Sequence, residues 1–147
     1  MGVPVWIALT HDLSKFSLAE WTPYVNQFYN RDGTLKKGIR DDTGYYDPSA
    51  QPIPFQLAWI HHQRNKHHWQ SWISIGDSGR LSATPIPEVY IREMIADWIG
   101  AGLVEGKSNP IGWYAKNGDK MILHPETRKM LESLLEALGR GEYDIAF

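Results

Sequence analysis

Four of the chain's six histidines fall within eight residues, in Ala58-Trp59-Ile60-His61-His62-Gln63-Arg64-Asn65-Lys66-His67-His68-Trp69. Any fold open to this chain must bury the flanking Trp59, Trp69 and Trp72 while finding partners for the imidazoles and for the Arg, Lys and Asn among them. The chemistry available to such a cluster is metal ligation or proton transfer near neutral pH. The plain alternative is a polar, partly basic helix end that runs into a loop, with the tryptophans packing. The stretch alone leaves both readings open.

Composition narrows the first reading. The chain has no cysteine, which excludes disulfides and thiolate sites. Any metal must then be held by His and carboxylate, a donor set that suits Mn, Fe, Co, Ni, Zn or Mg. A length of 147 residues fits one domain with its own core, and no linker or repeat divides it. The formal net charge of −2 gives no electrostatic case for bulk nucleic-acid binding. No apolar run is long enough to cross a bilayer, and the first nine residues lack the basic start and apolar length of a signal peptide. A cytoplasmic domain is expected, without membrane association and free to form a homo-oligomer.

Periodicity and punctuation predict helices over residues 4–15, 18–29, 55–66, 88–101 and 125–138. The clearest is 88–101, where Ile91, Met94, Ile95, Trp98 and Ile99 form an apolar stripe ended by Gly100 and Gly102. Ser17 with Glu20 has the capping-box spacing for the second helix, which Pro23 should kink or shorten. Residues 30–54 read as a long loop, in which Lys36, Lys37 and Arg40 offer anion contacts or simply face water. Residues 103–119 also read as a loop, and Asn117-Gly118 suggests a short β-hairpin in the C-terminal third. His124 stands at the start of the last helix.

The chemistry-bearing residues then sort onto three helices. The first carries His11, Asp12 and, four residues beyond His11, Lys15; the second carries the two His pairs; the third carries Glu93 and Asp97. Adjacent helical histidines point about 100° apart, so one cavity should take one of each pair. A divalent cation held by His and carboxylate from facing helices lowers the pKa of bound water and polarises a phosphoryl oxygen. Lys15 would meet phosphate charge as a point cation. Glu93 is a candidate for a direct role or for a surface ion pair, and Arg64 and Lys66 for anionic substrate contacts or for solvation.

His11-Asp12-Leu13-Ser14-Lys15 resembles the His-Asp-x-x-Lys element of HD-domain phosphohydrolases, and His61-His62 followed by Asp97 resembles the downstream ligands of their two-metal branch. More closely, His11 to Phe16, Asn65-Lys66-His67-His68 and Glu93-Met94-Ile95-Ala96-Asp97-Trp98 together resemble an uncharacterised family of phages and bacteria, over about residues 11–128. The resemblance implies a mainly α, HD-like helical bundle with long loops. It also implies a divalent metal held by His11, Asp12, Asp97 and some of His61, His62, His67 and His68. Lys15 and Glu93 would be catalytic, and Arg64 and Lys66 would contact a small phosphorylated substrate, such as a nucleotide, that the domain hydrolyses. Two departures stand out. HD domains carry a further His ligand on an earlier helix, whereas none of the ten residues before His11 is His, and Gln70 stands where relatives are expected to have Glu. These departures support the alternative of a catalytically degenerate metal-binding or protein-interaction domain.

Overall fold

The computed structural model describes residues 2–36, 41, 43–45, 47–104, 106 and 108–143. Lys37 and Arg40, two of the expected anion contacts, lie outside the described residues. Among those described the chain is mainly α, with helices α1 (Val5–Thr10), α2 (Trp21–Phe28), α3 (Ile53–His62), α4 (Glu88–Val104), α5 (Pro110–Asn117) and α6 (Pro125–Gly139). A small antiparallel sheet, β1 (Ile73–Ile75) and β2 (Leu81–Ala83), lies between α3 and α4. No helix among the described residues is long and apolar enough to cross a membrane.

α4 is the spine. Its Ile91, Met94, Ile95 and Ile99 recur at helical spacing and bury against Leu131, Leu134 and Leu135 of α6, with α5 packed alongside both. Ile95 and Leu131 retain no exposure. Ile95→Ala is therefore expected to cost about 2–5 kcal/mol, measured as a lower urea midpoint at an unchanged slope. Trp98, expected in this core, is only half-buried. Its ring lies 4.8 Å from Trp113 and stacks on Tyr114, and part of it faces a cleft. α2 and α3 pair through a second, aromatic cluster: Phe55 lies 5.1 Å from Tyr24 and 5.7 Å from Phe28, which fixes where α3 ends.

Several elements differ from expectation for local reasons. The first helix stops at Thr10, whose hydroxyl donates back to the Trp6 carbonyl, and a 3-10 turn over Leu13–Phe16 follows. Ser17 makes no capping hydrogen bond and Glu20 is drawn inside the protein, so α2 begins only at Trp21. Pro23 then falls in its first turn, where proline is tolerated, and no kink is needed. The hairpin forms at 73–83, in register Ile73 with Ala83, around the Asp77-Ser78-Gly79 turn in which Gly79 takes φ +78°. Asn117-Gly118, read as its turn, instead ends α5. Asn117 is fully buried and its amide donates to Thr43 O and Trp113 O. Gly118 is needed for close packing, since a Cβ there would sit 2.8 Å from the Tyr114 ring.

Candidate metal centre

α3 delivers His62 at its last turn, and the chain then leaves the helix. His68 has extended backbone, φ −88° and ψ 125°. That departure lets both His67 and His68 turn inward, where a continuous helix would have admitted one of the two. His62, His67 and His68 bring one ligand atom each within 4.8 Å of one another. His11, Asp12 and Asp97 do the same from the first turn and α4.

The two triads meet at Asp12. Its Oδ2 lies 3.3 Å from His11 Nε2, and its Oδ1 lies 3.6 Å from His62 Nε2. Asp97 Oδ1 approaches the same His11 nitrogen at 3.8 Å. Asp12 occupies the N-cap position of the 3-10 turn, yet its side chain makes no cap hydrogen bond, so the plain helix-end role is not what it performs.

Behind the rings, acceptors fix the tautomers. His11 Nδ1–H donates to Ala8 O at 2.8 Å, and His62 Nδ1–H donates to Glu20 Oε2 at 3.0 Å. His67 Nδ1 faces Glu93 Oε1 at 3.5 Å. His11 and His62 are thereby hydrogen-bonded at Nδ1 and keep Nε2 for the centre, which is how protein metal sites orient their histidines. Glu20 has no exposed surface. Its Oε1 accepts His61 Nδ1–H at 2.6 Å, and Ser14 Oγ, itself bonded by Asn65, donates to Oε2 beside His62.

The front of the centre is polar and unsatisfied. Asp12 Oδ1, His67 Nε2 and His68 Nε2 are buried without a hydrogen-bond partner. Each such group costs about 1–3 kcal/mol unless something pairs with it. A divalent cation of the nitrogen- and oxygen-binding class would pair with all three, so the donor set fits a metal.

Burial lowers the His62 pKa to about 3, with Lys15 adding to the shift, and lowers His67 to about 4 against the opposing effect of Asp12. Burial also holds His68 well below its ordinary value and raises Glu93. At neutral pH these imidazoles are uncharged and carry a free lone pair. The sign for stability follows. The unfolded histidines take up protons near pH 6.5 while the folded ones resist until about 4 and below, so the unfolded state binds more protons across that window. Metal-stripped protein should melt at progressively lower temperature as pH falls from about 7 to about 4. A melting temperature flat across that range would contradict the burial of these rings.

Not every candidate joins the centre. His61 is half-exposed and bound to Glu20, one helical step away from the direction His62 takes. Glu93 lies behind His67, buried, with Oε1 3.5 Å from the ring nitrogen and outside the cleft lining. Lys15 pairs with Asp12 Oδ2 at 2.5 Å, at the edge of the first triad. Arg64 is exposed in a shallow hollow that adjoins the cleft only through Gln63 and Gln70. The Lys66 ammonium sits 5.3 Å over the Tyr90 ring and lines neither space. Neither residue is placed to meet a ligand at the centre. Glu20 is not read from the sequence as a site residue, because the Ser17–Glu20 spacing suggests a backbone cap, and Ser14 and Asn65 enter only as members of the motifs around His11 and His67.

His67, His68 and Asp97 form one end of a cleft of about 860 Å³ that continues past Trp98 toward Trp113 and Tyr45. The model of a family described as "Family of unknown function (DUF5662)" matches residues 1–137. No curated protein and no solved structure matches the chain.

Proposed function

The chain belongs to the DUF5662 family, and from that premise and the geometry of its centre we propose a metal-dependent phosphohydrolase of the HD type, acting on a phosphate ester such as a nucleotide. The observation that carries this reading is the placement of the Asp12 carboxylate between two triads, with its two oxygens on two different histidines. His11, Asp12 and Asp97 would hold one divalent cation. His62, His67 and His68, with the other Asp12 oxygen, would hold a second. When bound, such ions make water a nucleophile near neutral pH and draw charge from the phosphoryl oxygens.

The chain's own groups supply the rest. Ala8 O and Glu20 hold the His11 and His62 imidazoles by their back nitrogens, which orients both rings before a substrate arrives. The Lys15 ammonium, held at Asp12, would meet the charge of a phosphate bound at the ions. Hydrolysis forms a P–O bond to the water oxygen and breaks the ester P–O bond, the proton lost by the water goes to the departing alkoxide, and the alcohol would leave through the cleft that Asp97 lines.

Elemental analysis of purified protein, followed by a phosphatase screen on nucleoside mono- and triphosphates with Mn, Co, Ni and Mg, tests the reading. Between one and two divalent ions per chain and turnover with at least one metal are expected. Protein that takes up no metal under any loading condition would overturn it. One observation favours a binding domain as the second reading: Val5, Trp6, Leu9, Phe16 and Leu18 present an exposed apolar surface, of which Leu18 is fully exposed. A degenerate binder would take up metal in the same centre yet turn over no phosphate ester.

A further inference from the structure

The one buried side chain of α1 is Ile7. On the opposite side the chain turns apolar groups outward. Val5, Leu9, Leu13 and Phe16 recur at offsets of four, eight and eleven residues, the spacing of one helix face. The helical course is kept through His11, at φ −53° and ψ −40°, into the 3-10 turn that carries Leu13 and Phe16. All four are more than half exposed, as is Trp6 beside them. The Phe16 ring stacks on Trp21 at 5.6 Å, which carries the face onto α2, and Leu18 between the two is fully exposed. A helix stripe of this kind ordinarily buries against another element.

Area and charge say what fits the face. Its seven large apolar side chains, half to fully exposed, offer on the order of 900 Å². The largest apolar patch on a typical monomer is about 300–600 Å², and one partner of a standard interface gives about 800 Å². The whole chain exposes 9690 Å² at 16.8 kDa, where a compact monomer of that mass exposes about 7,700 Å². Residues 3–19 hold three ionisable side chains, His11, Asp12 and Lys15, which are engaged with one another and with Ala8 and Asp97. The face therefore offers nothing to a polyanion or a charged peptide. A large surface rich in aromatic rings and depleted of charge has the composition of a homodimer interface core.

We propose that this face is the interface between two copies of the chain, packed on itself about a two-fold axis. Such a contact needs no complementary charge, only a self-complementary apolar surface, which the stripe provides. It adjoins the centre, because Leu9, Leu13 and Phe16 share one short segment with His11, Asp12 and Lys15. It gives the exposed face an occupant without a foreign partner, and it holds whether or not the centre turns over a phosphate ester.

Sedimentation velocity on the full chain, from low to high micromolar concentration, tests the interface. A species of twice 16.8 kDa is expected. Leu9→Glu sets two carboxylates against each other across a two-fold contact and should weaken the dimer by about a hundredfold or more. Its circular-dichroism spectrum should not change, because most of the Leu9 surface already faces water. If Leu9→Glu fails to fold, Leu18→Glu, at a fully exposed position, should weaken the dimer in the same way. Leu57→Glu, at an exposed position on α3, is the control and should leave the dimer intact. A parent that stays at 16.8 kDa across the range overturns the interface. So does a dimer that Leu9→Glu and Leu18→Glu leave whole, or that Leu57→Glu breaks as readily. A monomeric parent whose tryptophan fluorescence shifts to the blue on phosphatidylcholine vesicles would give the face to a membrane surface instead. Metal content and turnover are measured on the same proteins, so a monomeric parent that hydrolyses a phosphate ester overturns the interface and leaves the phosphohydrolase standing.

Discussion

Asp12→Ala is expected to empty both proposed cation positions at once. Asp12 reaches both triads, with Oδ2 toward His11 and Oδ1 toward His62. Bound metal measured by elemental analysis should fall toward zero, and phosphatase turnover by about a thousandfold or more, as when a reaction loses its electrostatic centre. Two companions make the result specific. Asp97→Ala touches one triad only and should leave the metal held by His62, His67 and His68. Lys15→Ala should leave metal content nearly intact, because an ammonium is not a ligand, while slowing turnover by about tenfold to a hundredfold through lost charge at the phosphate. An Asp12→Ala protein that keeps its full metal content would show that the two triads do not share this carboxylate.

The centre was legible where residue type alone carries the chemistry. Asp97 stands 85 residues beyond Asp12 yet converges with it and His11, because α4 has an unambiguous apolar stripe that places Asp97 on its edge. The histidine pairs were harder. Helical geometry correctly separates His61 from His62, but it cannot say that the chain leaves the helix after His62, and that exit is what brings both His67 and His68 inward. Glu20 was hidden for a different reason. A capping box and a buried orienting carboxylate present the same residue type after the same serine, and only the packing of α2 on α3 decides between them. Asn117-Gly118 failed likewise: a favoured turn dipeptide was used for close packing beneath Tyr114. The aromatic cleft joins Trp59 and Trp69 to Trp98 and Trp113, and no local pattern links residues so far apart.

Glu20→Ala should be the most destabilising single change near the centre, because it removes the acceptor shared by three donors. His61 Nδ1, His62 Nδ1 and Ser14 Oγ all converge on a carboxyl group with no exposed surface. Breaking a buried polar network of this kind costs about 3–5 kcal/mol, read as a fall in melting temperature or denaturant midpoint. That loss alone would not distinguish a structural carboxylate from one that positions a ligand, so Glu20→Gln carries the argument. The amide keeps the size and one acceptor oxygen, but its NH2 group faces an imidazole N–H with a second donor. One of the two histidines must then move its proton to Nε2. Where that histidine is His62, the lone pair aimed at Asp12 Oδ1 and the second triad is lost. The Gln variant should therefore fold, keep the metal held by His11, Asp12 and Asp97, and bind the second ion about 10- to 100-fold more weakly. Heteronuclear NMR of the imidazoles should report a new Nε2–H tautomer in the metal-free variant. Equal affinity for both ions in the parent and in a Glu20→Gln protein whose His62 carries the Nε2–H tautomer would mean that Glu20 holds α2 to α3 and does nothing for the centre.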